Sequence, residues 1–584
     1  MNRIYLLTAG LFFMAIAVAP SVVAQNAPQQ AGPAVATAPA SVFPEGTDVE
    51  PVWRVGAFLM NQTGVFVAND KDEFKDPENP GSPTNHGGNL GKLSMCRFTL
   101  QVDADWRPTK RVWTHLTLRL ARSLALDADK DAQVPAAGYT GKDNADRRKE
   151  WVRDNYYSET EVREFFINFR AFPWLDIRLG RQLVAWGESG NSRLLDVVNP
   201  VNSTWHSALL ESFEDQRMPL WMVRALVDVP ALKGGLDVVW VPMLPLLESA
   251  SDTVTVPLTF VNAWGLPTPP KQRNDAVGPD KVNSKQLLIP HDFGADSRVG
   301  FRWKGRAGKF VNYSLMYYWT HQMSPPIPKY TRRPGTWDEN AKQLDVSRGT
   351  FDVFLEFPRQ HIVGFSLEGQ VPFPLGTMLK LEAALEPDRT FAMWSAASQG
   401  TPVYPEQKFE EIPFQQRKLL VFQYALTLQQ PFWIRPVNRE EPFILVFQFQ
   451  HTVIPGIDDL NKDNAVVDVP GYDTTVASRH QYKFIGALFT TFLKGTITPK
   501  ITAGYIPKTT RWLVERKGEI EKWSLARQSM NNGSGFATFS LSFKLMNSIR
   551  ATVAYNRFFG NQAYDGLGFY RDRDEVNFTV KYQF

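Results

Sequence analysis

The last eleven residues, Asp574 to Phe584, alternate strictly: Val576, Phe578, Val580, Tyr582 and Phe584 are apolar, and Glu575, Asn577, Thr579, Lys581 and Gln583 are polar. A period of two over this length belongs to a β-strand with one greasy and one wet face. Roughly 9–11 residues is also what a tilted strand needs to cross a bilayer. The segment fits either an edge strand of a soluble sandwich or one stave of a membrane barrel, and the rest of the chain chooses between them.

Met1 to Ala24 reads as a secretory signal peptide: a basic start at Arg3, an apolar run from Ile4 to Ala19, and the small residues Val22-Val23-Ala24 before a cut. No Cys follows that cut, so a lipid anchor is not indicated. Residues 25–51 are rich in Pro, Ala and Gln and cannot bury a core, which makes them a disordered periplasmic linker. Beyond Ala24 no long apolar run of about 18 residues occurs, and the mean hydropathy is −0.27, so helical membrane spans are excluded. An exported, moderately polar, strand-patterned chain points to a barrel over residues 52–584. A strand ending on Phe584 also resembles the closing strand of bacterial outer-membrane barrels, whose assembly machinery reads such a terminus.

Composition agrees. Aromatics make up 13% of the chain, with 40 Phe and 17 Trp, which suits a lipid-facing band with interfacial girdles. The net charge of +4 is small and its cations are interleaved with acids, giving no reason to propose nucleic acid. The single Cys96 cannot form an internal disulfide, so strand pairing alone must hold the fold.

From Val52 onward about eighteen strand candidates follow, with sixteen also possible within the usual uncertainty of strand ends. Their connections are sorted by length. Short polar links lie at Asp105 to Thr109, Ala171 to Trp174, Val229 to Gly234, Lys304 to Gly308, Val371 to Gly376, Lys494-Gly495 and Met546-Asn547, with Gln430 to Glu441 a longer exception. Every alternate connection is long and polar, for example Ser123 to Glu159, Ala185 to Gln216, Pro242 to Asp296 and His321 to Arg359. Pro387 to Gln415 and Pro507 to Ser534 are read in the same way. The expected fold is therefore all-β: an antiparallel transmembrane β-barrel with short periplasmic turns and long outer loops. Trp106, Trp113, Trp174, Trp303 and Trp433 lie at or beside the short turns, where a periplasmic aromatic girdle is expected.

A Lys or Arg facing lipid at mid-depth costs roughly 2–4 kcal/mol, so the aliphatic and Phe positions must face out. The opposite parity puts Arg97, Arg119, Arg178, Glu368, Lys380, Glu382 and Arg550 inside. Such a lining is compatible with a hydrated passage, and equally with cross-strand ion pairs that stiffen the wall. A barrel of this size is wide enough for water, so selectivity has to come from a loop folded into it. The segment Gly180 to Trp221 is the candidate.

That segment carries a family likeness. Gly180-Arg181-Gln182, Trp186-Gly187-Glu188-Ser189, Asp196-Val197-Val198-Asn199-Pro200, and Phe213-Glu214-Asp215 with Arg217-Met218-Pro219-Leu220-Trp221 resemble the signature block of the proteobacterial family called domain of unknown function 1302. The resemblance implies an exported outer-membrane barrel that works with periplasmic or lipoprotein partners, and with exporters of the resistance-nodulation-division type, in handling hydrophobic compounds. Asn202 stands where the family block often carries an acid. Physically, Gly187 permits a tight bend after Trp186, and Asn199-Pro200 starts a turn. Arg181, Glu188, Asp196, Glu214, Asp215 and Arg217 are then expected to form a network, with Asn199 at its turn, that either lines a constriction or anchors the loop.

Signals for catalysis are missing. The His residues form no close-spaced metal set, and there is no Cys cluster, nucleophile elbow or phosphate-binding Gly loop. Asp459, Asn461, Asp463 and Asp468 superficially match a calcium loop, but Asn464 and Pro470 stand where Gly and Glu are required. The expectation is a porin-like channel in the bacterial outer membrane, not an enzyme, with no metal or cofactor, passing small or hydrophobic solutes. The alternative is a non-conducting assembly or docking partner of an envelope exporter. Expected partners are the lipid bilayer and lipopolysaccharide, the barrel assembly machinery, and periplasmic or lipoprotein components of an exporter.

Overall fold

The structure, a computed structural model, describes residues 52–67, 90–128, 153–154, 157–188, 194–200, 212–242, 282–288, 292–322, 327–332, 336–338, 343–345, 351–371, 376–395, 414–457, 464–467, 478–510, 527–560, 567 and 573–584. The signal peptide and linker readings, residues 1–51, and the calcium-like positions Asp459, Asn461, Asp463 and Asp468 lie outside these residues.

Eighteen strands form one closed antiparallel barrel. They are β1 (Val52–Phe66), β2 (Leu93–Thr109), β3 (Val112–Ser123), β4 (Ser158–Phe172), β5 (Leu175–Gln182), β6 (Leu220–Val229), β7 (Gly234–Val241), β8 (Arg298–Ala307) and β9 (Val311–His321). They continue with β10 (Arg359–Val371), β11 (Thr377–Ser395), β12 (Phe414–Phe432), β13 (Phe443–Val453), β14 (His480–Phe489), β15 (Ile497–Thr510), β16 (Arg527–Lys544), β17 (Ile549–Gly560) and β18 (Glu575–Gln583). Each pairs with its sequence neighbour, and β18 closes on β1 in a register running from Phe58 opposite Gln583 to Phe66 opposite Glu575. A short strand, Asn464–Val467, adds to the top of β11.

The pattern of burial is that of a soluble protein turned inside out. Leu118, Phe165, Ile167, Leu315, Leu379, Leu426, Phe447, Phe539 and Phe578 are each about 39–52% exposed on the outward face. Arg97, Thr117, Asn168, Arg302, Ser366, Glu368, Lys380, Glu382 and Gln448 are buried on the inward face. An apolar surface wrapping a whole barrel far exceeds the few hundred Å² that a water-soluble monomer tolerates, and it matches the outward band of a membrane barrel.

Several expected strand ends are corrected. β2 continues through Asp105 and Trp106 to Thr109, so the turn shrinks to Lys110-Arg111. Strands β11 and β15 run past Pro387 and Pro507, where the sequence suggested they stop. The ladder breaks register at each: Pro387 and Asp388 are skipped between Glu386 and Arg389, and Pro507 between Ile506 and Lys508, where β16 also bulges between Ser529 and Ser534. A bulge absorbs the residue that cannot donate an N–H, so proline bends the strand without ending it. Of the expected girdle, Trp106 stacks on Trp53 at 5.1 Å, while Trp174 is 50% and Trp433 43% exposed. Trp113 does not belong to it. It shares the inward face with His115 and donates through Nε1 to Asp105 Oδ1 at 3.2 Å.

Outward Leu541 and inward Ser540 sit side by side in β16 and test this facing directly. Leu541→Arg should destabilise the barrel in lipid vesicles by about 2–4 kcal/mol, read from the denaturant midpoint, whereas Ser540→Arg should leave the midpoint nearly unchanged.

Candidate functional site

The chain between β5 and β6 turns into the barrel. Its described parts, residues 183–188, 194–200 and 212–219, pack against the inner wall. Trp186, Leu195 and Val198 are fully buried, together with Leu220, Val239, Val241 and Tyr318 of the wall, and Met222, Met316, Ile362, Ala384 and Ala425 complete the cluster. Indentations in the wall make room. A Cβ on Gly300 would stand 2.6 Å from the Trp186 ring, and one on Gly364 would stand 2.7 Å from Leu195. An apolar core inside a polar lumen therefore seats the segment.

Polar contacts then pin it. Asn199 folds the segment on itself: its Oδ1 accepts from the Val184 N–H at 2.7 Å, and its Nδ2 donates to the Gln182 and Met218 carbonyls at 3.3 and 2.8 Å. Asp196 pairs with Arg217 at 2.7 Å inside the same fold. Trp186 donates through Nε1 to Asp237 Oδ2 at 3.0 Å, and Arg224 holds that carboxylate with two further bonds at 2.9 and 2.7 Å.

Glu188 is the second anchor. Its carboxylate meets Arg302 and, at 2.9 Å, Lys304 of β8. Its N–H donates to Glu382 Oε1 at 2.5 Å, and its carbonyl accepts from Lys380 Nζ at 3.1 Å. Lys380 in turn pairs with Glu368 at 2.9 Å. A third anchor holds the four-residue helix Phe213–Gln216. Arg119 reaches Asp215 Oδ1 at 2.7 Å, and Arg163 Nη2 donates to the carbonyls of Glu214, Asp215 and Arg217.

Most of the seven loop residues singled out from the sequence are linked, partly through the wall. Asp196 pairs with Arg217, Arg163 holds the carbonyls of Glu214, Asp215 and Arg217, Asn199 bonds the neighbouring Val184, Gln182 and Met218, and Glu188 meets a different stretch of wall. Arg181 starts from the outward-facing row of Phe165 and Trp221, but its guanidinium reaches Glu161 at 2.8 Å, and Glu161 also pairs with Arg163 at 3.3 Å. The Glu214 side chain is exposed and makes no ion pair among the described residues. Gly187 serves by close approach, since a Cβ there would lie 3.2 Å from Asp196. Of the expected lumen residues, Arg97 bonds Gln62 Oε1 at 2.9 Å and Arg178 lies 4.3 Å over the Phe166 ring. Arg550 is exposed near the short-turn end of β17.

Arg163, Arg224, Asp237, Arg302 and Lys304 were not singled out. Strand parity alone puts most of them inside, but nothing local says that Glu188 lies 114 positions from its partner Arg302. Among the described residues no group of three or more His, Cys, Asp or Glu is placed to hold a metal ion.

A closed eighteen-stranded barrel with an apolar exterior and a chain segment lodged in its lumen defines an integral membrane β-barrel. The chain belongs to the family described as a protein of unknown function (DUF1302), which it matches over residues 69–232 and 274–584. No curated protein matches it. Similar solved structures include Acinetobacter baumannii OccAB3 at 8% identity, covering 91% of this chain and 99% of that one with a TM-score of 0.42. Pseudomonas aeruginosa OpdK with vanillate is also similar at 8% identity, with 91% and 98% covered and a TM-score of 0.40. Salmonella typhi OmpF in complex with daunomycin is similar at 8% identity, with 91% and 97% covered and a TM-score of 0.35. The barrel is read from strand register and stands without these likenesses.

Burial pushes the Glu188 carboxyl up, but the Lys304 and Arg302 cations outweigh it and hold the group below its ordinary 4.5. A carboxylate held low contributes its docking energy at all pH above the ordinary value and loses it as pH falls through the lower one. Hydrogen-exchange protection of the Val184 amide, corrected for intrinsic rate, should therefore persist at about pH 6 and decay only below the ordinary carboxylate value. Glu188→Gln should show reduced protection already at neutral pH, because it strands Arg302 at a cost of about 3–5 kcal/mol.

Proposed function

We propose that this protein is a porin-like channel of the bacterial outer membrane, through which small solutes pass down their gradients, with the segment between β5 and β6 as its constriction. The observation that carries the reading is the asymmetry of the lumen. The inserted segment is bound to the inner wall of β3 to β12, whereas the inward face of β15 to β17 carries Thr502, Ser540, Ser542 and Thr552 toward the short turns, and Leu567 packs on Phe536 and Phe558 only nearer the long loops. A hydroxyl-lined wall opposite a fixed, charged loop is the arrangement by which channels sort solutes by size and charge.

The apolar exterior supports a bilayer setting, and in this reading the long-loop end meets the lipopolysaccharide leaflet while the short turns meet the periplasm. Insertion by the assembly machinery through Phe584 belongs to the same proposal. A second reading has one observation in its favour: the fourteen buried apolar residues around Trp186 make a core, which suits a plugged barrel that docks periplasmic or lipoprotein partners of an exporter.

Planar bilayers separate the two. The channel reading expects stable unitary currents from purified protein, larger in Gly364→Val, where the added methyls collide with Leu195 and lift the segment from the wall. Absence of any current or solute flux from both proteins would overturn it.

A further inference from the structure

The cations of the lumen differ in compensation. Beside the inserted segment Arg224 pairs with Asp237 at 2.7 Å and Lys380 with Glu368 at 2.9 Å, while Arg298 is wholly buried with no acid beside it. On β16 to β18 three cations stand together. In the ladder Lys544 of β16 stands opposite Arg550 of β17, and Arg550 stands opposite Lys581 of β18. Three like charges thus lie in one row on three adjacent strands, near the short-turn end. None has a carboxylate within ion-pair distance among the described residues. Lys544 and Arg550 are exposed. Lys500 shares this face, opposite Ser540 and about 13 Å further along the strand, and is also without an acid.

Directly opposed like charges destabilise a sheet, so wall stiffness does not account for the row. Serine or threonine, which fills the neighbouring positions, would serve that end better. Within a lumen bounded by low-dielectric walls, such a row concentrates anions. Its flank is apolar. Lys581 Nζ lies 3.9 Å over the Phe58 ring, and Met60, opposite Lys581 in the β1 ladder, continues the same face. Lysine supplies compact point charges, and arginine a planar fork suited to a carboxylate.

The geometry points to a binding station for organic acids at the short-turn end of the lumen: Lys544, Arg550 and Lys581 take the carboxylate, and Phe58 and Met60 take its apolar body. This rests on the channel reading and adds to it the class of solute. Asp215 of the inserted segment and Asp103 of β2 lie near enough to Lys581 to act on its charge, but neither forms an ion pair with it among the described residues.

Hexanoate and hexylammonium, equal in chain and opposite in charge, are the probes. In bilayers under a potassium chloride gradient, the reversal potential of the wild type should show anion preference. In Lys544→Gln/Arg550→Gln/Lys581→Gln the anion-to-cation permeability ratio should fall by a factor on the order of 3–10. Hexanoate should block chloride current in the wild type far more than in the variant, and hexylammonium in neither. A conducting wild type that prefers cations, or an unchanged ratio in the variant, overturns the inference and leaves the channel intact. Absence of current removes the channel, and calorimetry on the barrel in detergent then decides the station: hexanoate heat lost in the triple variant sustains it, and equal or absent heat in both overturns it.

Discussion

Closure of the hydrogen-bonded ladder is the constraint on which the rest of this structure depends. Backbone N–H and C=O groups left unpaired in hydrocarbon cost several kcal/mol each, and only a sheet without edges pairs them all. Here the seam is the pairing of β18 with β1, extended by bonds from the Ala57 N–H to the Phe584 carbonyl at 3.0 Å and from the Phe584 N–H back to Ala57 at 2.9 Å. Once the sheet is closed, alternation divides the side chains between lipid and lumen, and Pro387 and Pro507 are taken up at breaks in register. The inside-out burial follows from the same closure.

The inserted segment answers a second problem, how to hold irregular backbone inside a polar tube. Its solution resembles a small globular core: Trp186, Leu195 and Val198 are buried against the wall, and the backbone groups that such burial strands are met by Asn199, Glu382 and Lys380. Ionic anchors on both sides of that core make the position specific. A pair such as Arg302 with Glu188 adds little over an apolar contact when intact, but removing one partner leaves a buried charge. The row Lys544, Arg550 and Lys581 on β16 to β18 has no ion pair among the described residues.

Much of this was legible in the chain and some was misleading. The outward residues, such as Leu118, Leu379, Phe539 and Phe578, are visible because a strand repeats every two residues and lipid tolerates few charges. Sorting of short and long connections was equally visible. Pro387 and Pro507 misled because a missing N–H ordinarily ends a strand, and the neighbouring ladder that accommodates each as a bulge is not a local property. Trp113 misled because closeness to a turn says nothing about which face a residue takes. In the signature block, the separate destinations of Glu188 and Asp215 were invisible: their partners come from β8, β11 and β3, far away in sequence.

The sequence by itself determined the class of fold, the parity of each strand and the segment most apt to enter the lumen, because these follow from periodicity, charge and connection length along one stretch of chain. Only the tertiary structure decided which charges meet. Closing the barrel brings strands hundreds of residues apart to one depth, so the compensation of Glu188 and the lack of it at Lys544, Arg550 and Lys581 are properties of register, which no local pattern encodes.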